Sequence, residues 1–277
     1  MKNNIRNTKP SVNAADMISY QKAKDFYNLD KYDEAFPVIK NEADNDNPEA
    51  QYLLGEMYYY GQGTPIDEAK AVEWYNKSAE NGCPNAQYQL GYLYENGIEV
   101  TEDITAASEW YKKALDGYSD AASHGDVKSL YELAGMYYVG AGVESDFKKA
   151  FDLYQTAAKK GYADAKYKLG EMYKYGYGVE QDFNKSEKWY IAAADDFRKG
   201  AENGNLKRQC ELADMYMRSD YDNGLEQDVY KAYELYKDAA DKVVKLIKII
   251  DELLIFLENL RLKYLETKDK KYWKELI

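Results

Sequence analysis

The residue types that most often perform catalysis or bind metals are scarce in this chain. The 277 residues include a single histidine, His124, and two cysteines, Cys83 and Cys210. One histidine argues against His-rich metal sites and histidine-based triads, and two cysteines cannot form a disulfide framework. We expect His124 to lie at a surface helix terminus and both thiols to be free, as in a reducing compartment. The sequence therefore predicts no catalytic residue, no metal and no cofactor.

Recurring aspartates are a second candidate for chemistry, since paired carboxylates can exchange protons with a substrate. One aspartate stands at the same place in five similar segments: Asp67, Asp103, Asp146, Asp182 and Asp228. A carboxylate at each predicted helix start is first of all an N-cap. The nearby glycines, in GQGTP, GAGVE and GYGVE, lack the GxxxxGK[ST] pattern of a phosphate-binding loop. We therefore interpret the aspartates as caps and the glycines as turns between helices.

The charge balance argues against some classes of partner. Asp and Glu number 49 against 37 Lys and Arg, which gives a net charge of −12. Because nucleic-acid binding needs a basic surface, we expect no nucleic-acid partner and favour a basic protein or peptide. The most apolar stretch, Val243–Leu265, contains seven charged residues, too many for a helix that spans a bilayer. The first residues, MKNNIRNTKPSVNA, lack the apolar core of a secretory signal, so we expect a cytoplasmic protein.

An internal repeat determines the architecture. A leucine, a small residue and a tyrosine in the pattern Leu–Gly/Ala–x–x–Tyr recur five times, with leucine spacings of 36, 43, 36 and 43 residues, at Leu54, Leu90, Leu133, Leu169 and Leu212. Each copy then has one or two glycines, the aspartate and a Trp–Tyr or Leu–Tyr pair. Apolar residues at helical spacing on both sides of the glycines predict two helices per copy. Such pairs bury their apolar faces only by stacking into a solenoid.

Three further details of the repeat can be predicted from the sequence. The small residue after the leucine is a glycine in three copies, where it costs stability in mid-helix relative to alanine, which indicates close packing by the second helix. Copies two and four are seven residues longer in the second helix, about two turns, and we expect these extensions to protrude around Leu115–Ser123 and Asp195–Gly204. We expect Trp74, Trp110 and Trp189 to be largely buried.

The repeat resembles Sel1-like repeats, which are relatives of the tetratricopeptide repeat. The segments AQYLLGEMYYYGQGTPIDEAKAVEWYNKSAENG and AKYKLGEMYKYGYGVEQDFNKSEKWYIAAA carry the resemblance. It implies an all-α, right-handed α-solenoid of antiparallel helix pairs. We expect a flexible N-terminus over 1–15, about six helix pairs over 16–240, and a C-terminal helix and tail over 241–277. That helix either caps the last repeat or forms a homodimer through 243–264.

The resemblance also suggests a binding surface, because the first helix of each tetratricopeptide unit lines the concave groove. On this basis the candidate partner-binding tyrosines are Tyr52, Tyr59, Tyr88, Tyr92, Tyr131, Tyr138 and Tyr167, and the candidate carboxylates are Glu56, Glu95 and Glu171. Tyrosine is typical of interfaces, and 30 Tyr against 7 Phe is a large excess. Packing within the repeat explains the same stripe equally well, so both interpretations stay open.

The resemblance implies a non-enzymatic adaptor that binds a protein or peptide in an acidic, Tyr-rich groove. Immunity or inhibitor proteins, which neutralise a cognate toxin, are an alternative within the same resemblance. Some family members have been linked with β-lactam binding and hydrolysis, which gives an enzymatic alternative. This chain has one histidine and no HExxH motif to support such a reaction. Sequence alone does not distinguish an adaptor from an immunity protein.

Overall fold

The structure, a computed structural model, describes residues 14–217 and 228–242, with side chains from residue 19 onward. All regular secondary structure in these residues is helical, in twelve helices. The predicted capping or dimerisation helix over 243–264 lies outside the described residues, as do residues 1–13 of the predicted N-terminal segment. The first helix begins at residue 14, two residues earlier than the sequence suggested.

The helices follow one another as six pairs, and packing contacts run mainly between consecutive helices. In chain order they are α1 Ala14–Asn28, α2 Tyr32–Asp44, α3 Pro48–Tyr60, α4 Glu68–Glu80, α5 Pro84–Asn96, α6 Ile104–Ser123, α7 Val127–Val139, α8 Phe147–Lys159, α9 Ala163–Tyr175, α10 Phe183–Glu202, α11 Leu206–Met217, and α12 over residues 229–242. The predicted all-α solenoid of stacked helix pairs is therefore confirmed. Odd-numbered helices are the first helices of their pairs, and even-numbered helices are the second.

The recurring aspartates cap the second helices, as predicted. Asp67 accepts a hydrogen bond from the backbone N–H of Lys70 at 3.0 Å, and Asp103 accepts from Thr105 and Ala106 at 3.0 Å each. Asp146, Asp182 and Asp228 make the equivalent bond in their own copies. Each bond satisfies a donor that the first turn of a helix leaves unpaired, so these carboxylates have a structural task in every copy.

Removing one cap is expected to cost modest stability. The substitution Asp103→Ala should lower the free energy of unfolding by about 1 kcal/mol, since two N–H donors of α6 lose their acceptor. The matched control Asp116→Ala changes an exposed carboxylate in the middle of the same helix and should have an effect within about 0.5 kcal/mol. Urea denaturation followed by circular dichroism measures both. Equal losses in the two variants would contradict the capping role.

The small residue of each first helix leaves room for an aromatic ring of the second helix. A Cβ atom on Gly55 would lie 2.6 Å from the ring of Tyr75, and Gly91 and Gly170 face the rings of Tyr111 and Tyr190 equally closely. Tyr75 has no exposed surface, and Tyr111 and Tyr190 are 5% and 3% exposed. The predicted close packing is confirmed, and its partner is the tyrosine of the aromatic pair.

The prediction that the three tryptophans are largely buried was wrong. Trp74, Trp110 and Trp189 are each only partly buried. They pack at the margin of the cluster that the preceding second helix forms with the first helix of their own copy, and Lys77 and Lys113 lie 4.0 and 3.8 Å from the ring centroids of Trp74 and Trp110. Adjacent residues on a helix point about 100° apart, and the tyrosine takes the inward direction.

The longer second helices are confirmed, but their extra turns do not protrude where we expected. Helices α6 and α10 have 20 residues, whereas α4 and α8 have 13. The last turns of the long helices are covered, because Tyr118 and Phe197 are 4% and 3% exposed and pack with Leu133 and Leu212 of the next copy. The next copy is therefore set against the later turns of the long helix.

The glycines in the turns show where along the preceding second helix the next copy packs. Gly63 and Gly178 would, with a Cβ atom, touch the first residues of α2 and α8, Tyr32 and Phe147. Gly142 instead abuts Tyr111, seven residues after the start of α6. The surplus length of α6 thus lies at its beginning.

The solenoid coils until distant copies meet. The side chain of Asn205, before α11, donates a hydrogen bond to the backbone oxygen of Asn28, at the end of α1, at 3.3 Å. The charge of Lys128 in α7 acts on Glu56 in α3 and counteracts the rise in the pKa of this carboxyl that burial causes. First helices of several copies therefore face a shared inner space.

Candidate functional site

Four of the candidate tyrosines form a regular ladder with the second helices. The ring centroids are 6.0 Å apart for Tyr52 with Tyr75, 5.3 Å for Tyr88 with Tyr111, 5.4 Å for Tyr131 with Tyr154 and 5.1 Å for Tyr167 with Tyr190. Each first-helix tyrosine is half-buried. Aromatic pairs at such distances add to stability, so one side of each ring holds the repeat together while its remaining surface faces outward.

The candidate carboxylates have partners within the chain. Tyr75 donates its hydroxyl to Glu56 at 2.6 Å, and Tyr111 donates to Glu95 at 2.8 Å. Lys168 donates to Glu171 at 2.8 Å. Burial raises the pKa of Glu56, although hydrogen bonds from Tyr75 and Tyr52 counteract the rise. Glu56 and Glu95 therefore fix tyrosine hydroxyls, and Glu171 pairs with a lysine.

The remaining candidates lie toward the ends of their helices and are more accessible as a group. Tyr92 is 43% exposed. Tyr59 packs edge-to-face on Tyr60, with centroids 5.0 Å apart, and Tyr138 packs on Phe147 at 5.2 Å. The ten candidate residues thus all lie on first helices, but they do not form one continuous patch of equal exposure.

Sequence reasoning missed a row of exposed apolar residues where first helices turn into second helices. We call this row the turn edge. It comprises the last residues of the first helices, Tyr60, Val139, Tyr175 and Met217, and the first residues of the second helices, Ile104, Phe147, Phe183 and Val229, all between 39% and 62% exposed. The signal was present in the sequence, since an apolar residue directly follows four of the five capping aspartates.

A cavity opens on the first-helix face between α7, α9 and α11. It measures about 200 Å³ and we call it the inner-face cavity; its lining is Tyr131, Asp164, Tyr167, Lys168, Phe197, Glu211, Asp214 and Met215. Tyr131 and Tyr167 are two of the ten candidates. The other lining residues were not among the candidates, because they come together only when three copies stack.

One arginine, Arg208, forms hydrogen bonds with two of the carboxylates that line this cavity. Arg208 donates two hydrogen bonds to Asp164, both at 2.7 Å, and one to Glu211 at 2.7 Å. Burial raises the pKa of Asp164, but the hydrogen bonds and charge of Arg208 outweigh it, and the net shift is downward. For Glu211 burial dominates and the pKa is raised. With Lys128 and Lys168 also on first helices, this face is mixed in charge and not uniformly acidic.

The residues considered for catalysis occupy structural positions. His124 ends α6 and is exposed, Cys83 precedes α5 and is buried, and Cys210 is partly buried, with both thiols free. Within residues 14–217 and 228–242, no group of three or more His, Cys, Asp or Glu side chains is placed to hold a metal ion. Over the same ranges, no helix combines the length and apolar character needed to cross a bilayer.

Comparison with protein families gives one clear match. The Sel1 repeat family matches residues 48–83, 84–118, 127–162, 163–196 and 209–243, which together make up more than half of the chain. The stretches left between matches, 119–126 and 197–208, contain the ends of the two long helices, α6 and α10. A search of curated proteins finds no match.

Several solved structures are similar to this chain. A Sel1 repeat protein from Oxalobacter formigenes is 29% identical, with 80% of this chain and 84% of that chain covered and a TM-score of 0.41. A protective antigen of uropathogenic Escherichia coli strains, which displays an SLR fold, is 28% identical, with coverage of 82% and 54% and a TM-score of 0.40. This chain therefore spans about half of that antigen. An immunity protein from Pseudomonas aeruginosa is 21% identical, with coverage of 83% and 84% and a TM-score of 0.48.

Proposed function

We propose, from the premise that this chain belongs to the Sel1 repeat family, that it is a non-enzymatic scaffold that binds a protein or peptide through its first-helix face. Stacked helix pairs offer extended surfaces of this kind. The observation that carries the proposal is the recurrence of half-buried tyrosines at one position of α3, α5, α7 and α9. A large ring with a polar tip, already held by packing, loses little freedom when a partner covers it.

The proposed contact residues differ in the role that their surroundings support. Tyr92 and Tyr138, with Tyr59, lie nearest the accessible ends of their helices and are the proposed anchors. The four tyrosines that pair with second-helix rings present only one side of the ring to a partner: Tyr52, Tyr88, Tyr131 and Tyr167. The three carboxylates act by charge: Glu56, Glu95 and Glu171. A basic partner remains part of the proposal because the net charge is −12, and opposite charge accelerates association.

The proposal predicts how partner affinity responds to substitution. A partner is first captured by chemical cross-linking in the source cells, and its affinity is then measured with purified variants. Tyr92→Ala or Tyr138→Ala should weaken binding about thirtyfold, as expected for an interface anchor. The matched control Tyr233→Ala removes a tyrosine that is 57% exposed on α12, a second helix, and should leave affinity within about twofold.

Charge variants separate the role of the carboxylates. Glu171→Gln should slow association and reduce its dependence on salt while changing dissociation little. Wild-type affinity in both tyrosine variants would place the interface away from the first-helix face. A captured toxin would make the chain an immunity protein, and a component of a larger assembly would make it an adaptor.

A cytoplasmic location is also part of this proposal. It is supported by the two free cysteines, Cys83 and Cys210, since unpaired thiols are typical of a reducing compartment. Fractionation of the source cells, with an antibody against the chain, tests it.

A further inference from the structure

The inner-face cavity is lined in part by aromatic side chains and lies on the face formed by the first helices. Tyr131, Tyr167 and Phe197 line it, together with the thioether of Met215. The rings of Tyr167 and Phe197 have centroids 6.5 Å apart and an interplanar angle of 34°. The two rings are therefore tilted against each other. An aromatic face attracts a cation that lies over it, and a flat guanidinium stacks on it best.

Carboxylates at the same cavity exceed the cations that neutralise them. Arg208 is shared between Asp164 and Glu211, and Lys168 is bound to Glu171. Lys207 lies 3.9 Å from Glu211, but its side chain is 71% exposed to solvent. Asp214 accepts a hydrogen bond from Tyr236 and, among the described residues, has no cation within 4 Å. The cavity thus has one carboxylate left for an incoming positive charge.

The chain already binds one guanidinium with the same chemistry. Arg208 lies with its Cζ atom 5.0 Å from the centre of the Phe197 ring, while two of its nitrogens bond the carboxylate of Asp164. A ring that stacks and a carboxylate that receives two N–H donors form the usual geometry of guanidinium recognition. Tyr167 and Asp214 place a second ring and a second carboxylate on the same cavity.

We propose that the inner-face cavity is a binding site for the guanidinium group of an arginine side chain on the partner. The inference rests on the proposed function, because the arginine belongs to the bound protein or peptide. The partly exposed rings of Tyr131 and Tyr167 contact the group, and Asp214 supplies the opposite charge. Asp164 and Glu211, already bound by Arg208, add to the negative potential.

The test uses the full chain and a blocked tripeptide, acetyl-Gly-Arg-Gly-amide, so that no partner has to be known. Methionine methyl groups are labelled with ¹³C, because Met215, although only 1% exposed, lines the cavity, while Met57 and Met172 are equally buried but away from it. The arginine peptide should shift the methyl resonance of Met215 saturably at low salt and leave the other two unchanged. The same peptide with citrulline, a neutral isostere of arginine, should have no effect.

Variants give the second readout. Asp214→Asn keeps an acceptor for Tyr236 but removes the charge, and should weaken the arginine peptide about threefold to fivefold. Glu187→Gln makes the same charge change at an exposed position of α10 and should leave the affinity unchanged. Circular dichroism and the resonances of Met57 and Met172 show that both variants are folded.

Three outcomes overturn the proposal: no shift of Met215 with the arginine peptide, an equal shift with the citrulline peptide, or an equal shift with a lysine peptide. None of them bears on the tyrosine anchors. A chain that loses its partner on Tyr92→Ala but ignores the arginine peptide keeps the proposed function and loses this site. A chain that binds the arginine peptide but keeps its partner in all first-helix tyrosine variants loses the proposed function instead.

Discussion

The substitution Tyr75→Ala is expected to lower the free energy of unfolding by about 3–5 kcal/mol, the usual cost of deleting a buried aromatic side chain. Tyr75 is fully buried, its ring lies against Gly55, and its hydroxyl donates to Glu56 at 2.6 Å. The substitution leaves a cavity between α3 and α4 and removes a donor from a half-buried carboxylate. In a solenoid the loss extends to adjacent copies, since each copy is stabilised by its neighbours.

Two control substitutions separate the contribution of the Tyr75 ring to stability from that of its hydroxyl and from that of the neighbouring Trp74. Tyr75→Phe keeps the ring but removes the bond to Glu56, and should cost about 1.5–3 kcal/mol, the range for a hydrogen bond to a charged group. Trp74→Ala removes a larger but only partly buried side chain and should cost less than Tyr75→Ala. Urea denaturation followed by circular dichroism measures all three. A greater loss for Trp74→Ala would restore the tryptophan as the core residue.

This pair of neighbours shows where sequence reasoning stops. The repeat, the helix pairs, the caps and the long second helices could all be predicted, because each depends on local spacing. Which member of Trp74–Tyr75 faces the first helix depends on the rotation of α4 by one residue, and a hydrophobicity argument favours tryptophan. Gly55 indicates which residue faces inward, because a glycine that recurs in mid-helix leaves room for a flat ring directly opposite.

The position of the candidate tyrosines could be predicted for the same reason. Helical spacing places Tyr52, Tyr88, Tyr131 and Tyr167 on first helices, and the structure shows them there, paired with rings of the second helices. Spacing does not give the angle between successive copies. That angle brings Asn28 to Asn205, and sequence patterns contain no direct measure of it.

The inner-face cavity depends on this coiling, whereas the turn edge does not. Arg208 and Asp164 are 44 residues apart in sequence, and they meet because successive copies bring α9 and α11 to the same face, each packed against α10. The turn edge recurs at fixed positions of the repeat, beside capping aspartates such as Asp146 and Asp182. A count of apolar residues at each repeat position would have found it.

The ion pair between Arg208 and Asp164 should be the strongest single polar contribution to the last two copies. Arg208→Met keeps most of the apolar volume but leaves Asp164 and Glu211 without their shared cation. Loss of one partner of a fully buried pair costs about 3–5 kcal/mol. Here the side chains of Arg208 and Asp164 are 22% and 20% exposed, so we expect a loss of about 2 kcal/mol.

A matched control is available on the neighbouring helix. Arg198 bonds Asp195 at 2.6 Å, but the two side chains are 39% and 53% exposed, so Arg198→Met should cost less than about 1 kcal/mol. Urea denaturation at neutral pH gives both values. Equal losses would mean that the pair with Asp164 contributes no more than a surface contact.

The effect of Arg208→Met should also depend on pH. The pKa of folded Asp164 lies below that of the unfolded chain because Arg208 outweighs the effect of burial. The pair therefore stabilises the fold above the unfolded value, about 3.9, and this contribution is lost as pH falls through the lower folded value. Wild type and Arg208→Met should differ most near pH 7 and converge in acid, provided that both remain folded there without denaturant. A difference that stays constant down to pH 3 would show that the lost packing of Arg208 on Phe197, and not its charge, determines the stability of this contact.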